Sequence, residues 1–270
     1  MPIFRRTAAV YVDGLNLYRR CLEGKPDLKW LNLLALSQLL LPTHDITTIR
    51  YFSSRIRRNE HDTGGPTRQM IYWRALRSLG PIVSIDEGRM VSSKSNAPRW
   101  PRTLDEDGKP LLTPVQRIEE KGSDVALGVR MALDAASNLA DIYCLVSSDS
   151  DFLPVVTLLR SELKAGTALF SPTDPPPTML RQAGPVMVKV IRRQTLEQAQ
   201  FPDVLEDEEG IFTIPHQWKK SGPPREGVRA QQSKRLGEEE NYNTTHLTAL
   251  RKFNDVESNV GDSSEDSWAL

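Results

Sequence analysis

Residues 141–171, "DIYCLVSSDSDFLPVVTLLRSELKAGTALFS", decide the fold. The segment opens on an apolar run of strand type, "DIYCLVSS", continues as "DFLPVVTLLRSELKAG" with helical composition, and closes on a second strand, "TALFS". Pro154 falls in the first helical turn, where its missing N–H has no intrahelical partner to lose. Strand, helix and strand in this order form a crossover unit, the connection that parallel neighbours in a sheet require. The first of these strands ends in two carboxylates one residue apart, Asp149 and Asp151.

The pattern extends in both directions. "TAAVYVDG" (7–14) reads as a strand ending in Asp13 and a glycine, followed by a helix start at "LNLYRRCL". "LNLLALSQLLL" (31–41) is helical and stops before Pro42, and "ITTIRYFSSRI" (46–56) is a β-branched and aromatic strand. An amphipathic helix is expected over 66–80, with Trp73 at a core position, then the strand "PIVSIDEG". Residues 89–117, rich in Pro, Ser and charge, read as an irregular insertion. The next helix starts at "KGSD", with an apolar stripe through Val125, Val129, Ala132 and Ala136. A short helix near 177–183 and the strand "VMVKVI" complete the set. Strands alternating with helices predict an α/β fold with a mostly parallel sheet covered on both faces.

The first 200 residues therefore make one domain. Residues 201–220 form an extension that packs back on it through "IFTIPHQW", and the polar stretch 221–270 is expected to be disordered. That tail carries a spaced apolar set, Leu247, Leu250 and Phe253, suited to folding onto a protein partner.

Composition bounds the function. Lys plus Arg equals Asp plus Glu at 35 each, so net charge alone does not announce a nucleic-acid partner. Two cysteines, Cys21 and Cys144, have no metal spacing and no disulfide framework. The absence of a leader pattern and of a long apolar span predicts a cytoplasmic protein with no membrane segment.

In an open parallel sheet, ligands bind beyond the carboxyl ends of the strands. Three separate segments send acid there: Asp13 after the first strand, Asp124 at the start of the helix after "KG", and Asp149 with Asp151 after the "YCLV" strand. Asn16 lies one helical turn past Asp13. Carboxylates converging in one place repel one another and raise each other's pKa, a conflict that a hard divalent cation such as Mg²⁺ or Mn²⁺ removes. A metal-loaded acidic pocket binds a phosphodiester and activates water, which is the chemistry of a nuclease.

The segments "VYVDGLNLY", "KGSDVALGVRMAL" and "LVSSDSDFLPVVTLLRSELKAGTALFSP", in this order, resemble the NYN domain family in its LabA-like branch, a relative of PIN-domain ribonucleases. The resemblance covers about residues 7–192. It implies a Rossmann-like (PIN-like) three-layer α/β/α sandwich with about five strands, and divalent-metal-dependent cleavage of RNA. Carried over by position, Asp13, Asp124 and Asp149 would be metal-binding acids, Asp151 a further acid, and Asn16 would orient a ligand. Arg130 departs from the pattern, since relatives often carry an Asp there. Asp134, one turn further on, sits on a different part of the helix surface.

For the substrate, Arg55, Arg57 and Arg58 follow the second strand on the same carboxyl edge, and Lys121 precedes the acidic helix. All four are candidates for backbone phosphates of single-stranded RNA. Two other classes fit parts of the sequence. One is a non-catalytic RNA- or protein-binding scaffold with a degenerate site. The other is a phosphatase of haloacid-dehalogenase type, which uses D-x-D after a strand but normally after the first one. Oligomeric state is not written in the sequence; a homodimer is the commonest default.

Overall fold

The computed structural model describes residues 5–58 and 62–219, which all belong to the unit Met1–Pro223; the 221–270 tail lies outside the described residues. Seven strands form one sheet: β1 (Arg6–Asp13), β2 (His44–Ser54), β3 (Val83–Pro98), β4 (Leu112–Lys121), β5 (Ile142–Val146), β6 (Gly166–Ser171) and β7 (Met187–Val190). Their order is β4-β3-β2-β1-β5-β6-β7, parallel throughout except for β4 against β3. The chain leaves β1 in one direction for β2 and β3, then returns to its other side at β5. The order therefore reverses between β1 and β5, and a crevice opens there at the carboxyl ends.

Among the described residues seven α-helices cover the sheet: α1 (Gly14–Leu17), α2 (Leu33–Leu40), α3 (Gly65–Arg77), α4 (Ser123–Ala136), α5 (Leu153–Ser161), α6 (Thr178–Gln182) and α7 (Arg193–Gln198). β1 alternates its faces: Ala8, Val10 and Val12 pack into one core with α2 and α3, while Ala9 and Tyr11 pack into the other with α4 and α5. Trp73 is fully buried, as its position on α3 predicts. After α7, Phe201 and Ile214 are buried against Trp30 and its neighbours, and β8 (Val204–Asp207) pairs with β9 (Gly210–Thr213) as a small hairpin. Arg74 of α3 clamps Asp207 of that hairpin with bonds of 2.6 and 2.7 Å. Among the described residues no helix is long and apolar enough to cross a membrane.

Two expectations are corrected. The sheet has seven strands rather than about five, because the supposedly irregular insertion is ordered as a hairpin arm. β3 pairs with β2 only as far as Gly88, and its next ten residues pair with β4 alone, from Arg89↔Lys121 to Pro98↔Leu112. At about 3.3 Å per residue the arm runs some 30 Å past the carboxyl edge. Both its faces meet water, so its strands lack the apolar alternation that marks a half-buried strand.

The second correction concerns α4. Val125 is 71% exposed and Val129 54%, while Leu127, Met131, Asp134 and Ala135 are buried. A buried ion pair sets this orientation. Asp134 receives Arg50 of β2 through Nε at 2.6 Å and a terminal nitrogen at 3.2 Å, and Tyr11 of β1 donates its hydroxyl at 2.8 Å. A count of apolar residues cannot register a carboxylate that is drawn inward.

Candidate functional site

Asp13 ends β1 just past Val12, which pairs with Val146 of β5. Its side chain caps α1 by accepting the Asn16 N–H at 3.0 Å, and it accepts the Ser147 hydroxyl at 2.8 Å. Gly14 follows by necessity, since a Cβ there would lie 2.6 Å from the Phe52 carbonyl and 2.7 Å from the Tyr51 ring. Asn16 uses its side-chain oxygen to hold the β5–α5 loop, accepting the Ser148 N–H at 3.0 Å and hydroxyl at 2.9 Å. Ser147 also accepts the Asp149 N–H at 3.0 Å, so one buried hydroxyl links Asp13 to the loop that carries Asp149. Asp149 in turn caps the single turn Ser150–Phe152 through the Asp151 N–H at 3.0 Å.

Asp124 arrives from the opposite side, in the first turn of α4. Its helix starts at Gly122 with φ 91°, a left-handed conformation that favours glycine. Glu120, at the end of β4, accepts the Ser54 hydroxyl at 2.8 Å and the Ser123 hydroxyl. Asp13, Glu120, Asp124 and Asp149 line one cavity of about 620 Å³ together with Glu23, Glu119, Arg19 and Arg20. Asp151 is exposed and does not line it, but its charge reaches Asp124.

The electrostatics follow from six carboxylates against two guanidiniums on one wall. Burial pushes the Asp13 carboxyl up to about 6, aided by the charges of Asp124 and Glu120 and opposed by its hydrogen bonds to Asn16 and Ser147. Asp124 is also raised, first by burial and then by Asp149, Glu120 and Asp151. The donors are all oxygen, the set that Mg²⁺ or Mn²⁺ prefers. Among the described residues, no three acids are yet close enough together to grip one ion, so holding it requires side-chain rotation about positions the backbone already fixes.

The basic residues are arranged differently from the sequence expectation. Arg55 is bound to Glu87 at 2.6 and 3.1 Å and lies over Trp73, Arg57 donates to the Met90 carbonyl at 3.0 Å, and Arg58 is exposed. None of the three lines the acidic cavity. Lys121 pairs with Glu119 at 2.7 Å and lines a separate hollow with Asp86 and Gly88. The guanidiniums at the cavity are Arg19 and Arg20, from the π-helical turn Tyr18–Leu22 that continues α1. Sequence reading also missed Glu120 and Ser147; "RIEEKGSD" shows a carboxylate three residues before Ser123, but only the β4 pairing turns it inward.

Residues 7–190 match the family model for the NYN domain. The chain belongs to the NYN domain family. This is a family of PIN-like nucleases, and as a class they use divalent metal ions. Arg130, at a position where the NYN resemblance leads one to expect an acid, is exposed and outside the cavity, and Asp134 is committed to Arg50. The chain is 27% identical over 191 residues to the 6-hydroxy-3-succinoylpyridine 3-monooxygenase of Pseudomonas putida, across 61% of this chain and 59% of that protein. It thus spans about three-fifths of the length of that curated relative. A crystal structure of a Vibrio parahaemolyticus protein of unknown function is similar at TM-score 0.47 and 14% identity, over 72% of this chain and 97% of that one.

Proposed function

We propose that this NYN protein is a ribonuclease that cleaves single-stranded RNA with the help of Mg²⁺ or Mn²⁺ held by Asp13, Asp124 and Asp149. The observation that carries the proposal is that four acids from three chain segments, Glu120 joining Asp124 on the β4–α4 junction, line one cavity at the sheet's switch point. Without a cation that cavity would repel a phosphodiester, so its charge favours metal over direct anion binding. The chemistry such an ion supplies when bound is neutralisation of phosphate charge and a lowered pKa for the attacking water.

The chain's own groups do the rest. Asn16 and Ser147 fix the loop and keep the Asp13 carboxylate aimed outward from β1. Glu120 adds a further acid to the cavity wall beside Asp124. Arg19 and Arg20 meet the backbone phosphates on either side of the scissile bond, and Arg58 and Lys121 extend that path along the edge. Asp151 adds negative potential without touching the substrate. The tail beyond residue 220 remains a candidate for protein partners, and a homodimer the default assembly.

Calorimetric titration with Mn²⁺ tests the proposal. Wild type should bind it in the micromolar to low millimolar range, and Asp124→Asn with Glu120→Gln should lose most of that affinity. Failure of wild type to bind any divalent ion at millimolar concentration would sink the metal reading. A second reading, an RNA-binding scaffold with a degenerate site, draws on the spacing of the acids, no three of which yet converge on one point among the described residues. The name of the Pseudomonas relative suggests chemistry on a pyridine ring; a ring-lined hollow beside the acids is the feature that would serve it.

A further inference from the structure

Next to the acidic cavity lies a second one of about 180 Å³, and the two share Leu15 and Glu120 as their common wall. Its character is opposite. Tyr18, Tyr51, Tyr72, Ile56, Met90 and Trp218 supply its surface. These come from α1's continuation, β2 and its exit loop, α3, the base of the hairpin arm and the C-terminal extension, so five parts of the fold close around one small apolar space. Tyr72 stands edge-on to Tyr51 at 6.2 Å and to Trp218 at 6.4 Å, which makes the ring wall rigid.

The polar groups at its rim are held in place by one another. Gln69 accepts the Ile56 N–H at 2.9 Å and donates to the Ser54 carbonyl at 2.9 Å. Lys29 donates to the Tyr18 hydroxyl at 3.0 Å and lies over that ring, and Arg68 is paired with Asp62. The pocket is thus formed before any ligand arrives, with apolar walls and a few fixed polar groups, the usual composition of a small-molecule site.

Size narrows the occupant. An apolar cavity of about 150 Å³ holds one benzene ring, so a single six-membered ring is the closest match to this one. We propose that the cavity is a subsite for one six-membered nitrogen heteroaromatic ring, namely a pyrimidine base of an RNA strand whose phosphate lies in the adjoining acidic cavity. This assignment rests on the nuclease reading for its source of rings. The shared wall at Leu15 and Glu120 places base and phosphate as neighbours, so the subsite selects which nucleotide borders the scissile bond. Stacking against aromatic walls supplies the affinity.

The test uses uridine, adenosine and pyridine-3-carboxylate, titrated by NMR into the full chain in EDTA, so that binding is read apart from metal and catalysis. Uridine should bind at least several-fold more tightly than adenosine. Ile56→Trp, which enters the cavity from a side chain 42% exposed, should abolish that preference while leaving Tm near wild type. Tyr18→Ala, which removes one exposed ring from the wall, should weaken uridine on the order of ten-fold. Equal binding of uridine and adenosine, unmoved by either variant, overturns the subsite. If pyridine-3-carboxylate alone binds and is displaced by Ile56→Trp, the ring comes from a free small molecule and the base assignment is overturned. RNA cleavage measured in parallel separates the two proposals, because uridine bound in this way with no cleavage in Mg²⁺ or Mn²⁺ counts against the nuclease and not against the ring site.

Discussion

Replacing Asp134 with Asn should destabilise the fold without touching the acidic cavity. The carboxylate sits between β1, β2 and α4, where it accepts two bonds from the Arg50 guanidinium and one from the Tyr11 hydroxyl. The side chains of Arg50 and Asp134 are 20% and 10% exposed, so the pair is largely withdrawn from water. Breaking a buried pair by removing one charge typically costs about 3–5 kcal/mol, because the other charge stays buried alone. Asn keeps one oxygen acceptor and Arg50 keeps some contact with water, which sets the expectation at the low end, about 3 kcal/mol. For a domain of this size that is a fall in Tm of roughly 10 °C. Urea denaturation of wild type, Asp134→Asn, Arg50→Met and the double variant gives the coupling directly, and the double should recover part of the loss. RNA cleavage per folded molecule should stay within two-fold of wild type. If Asp134→Asn leaves stability unchanged and abolishes cleavage, Asp134 belongs to the site and the structural assignment is wrong.

Three further outcomes follow from the same geometry. Burial pushes the Asp13 carboxyl from 3.8 in the unfolded chain up to about 6 in the fold, so the folded state binds the extra proton between those values and stability falls as pH rises through the window. Asp13→Asn should flatten that slope and be more stable than wild type above pH 6, by up to about 3 kcal/mol for two pKa units; an unchanged slope in pH-dependent urea melts would refute it. Because Asp13 must lose its proton to ligate the ion, apparent Mn²⁺ affinity should weaken as pH drops through about 6, and an affinity level down to pH 5 would contradict this. Removing Arg19 and Arg20 together should reduce the slope of log affinity for single-stranded RNA against log salt by about 1.4, whereas Arg55→Ala, whose partner is Glu87, should change it less.

Much of this architecture is legible in the sequence, because the parallel core writes itself in apolar runs that end in acid. Asp13, Asp124 and Asp149 each follow or open a regular element, so topology alone sends them to one edge. Glu120 was hidden because its strand is exposed on both faces and lacks the alternation that marks a buried one. The apolar stripe of α4 does not mark its inward face for a different reason: Asp134 is buried by Arg50 and Tyr11, strands away in sequence, and Val125 and Val129 are left outside. The arginines after β2 reach the expected edge, yet Glu87 and the Met90 carbonyl draw Arg55 and Arg57 toward the arm instead of the cavity. Spacing along the chain sets which edge a residue reaches; its partners across the sheet set where it points.

The most direct measurement is cleavage of a labelled single-stranded RNA of mixed sequence by wild type and Asp13→Asn side by side, in EDTA, Mg²⁺ and Mn²⁺. The account predicts cleavage by wild type only with a divalent ion, and a loss of at least a hundred-fold in Asp13→Asn although that variant folds as well or better. Binding of the RNA by both proteins with cleavage by neither, under any of the three conditions, would contradict it.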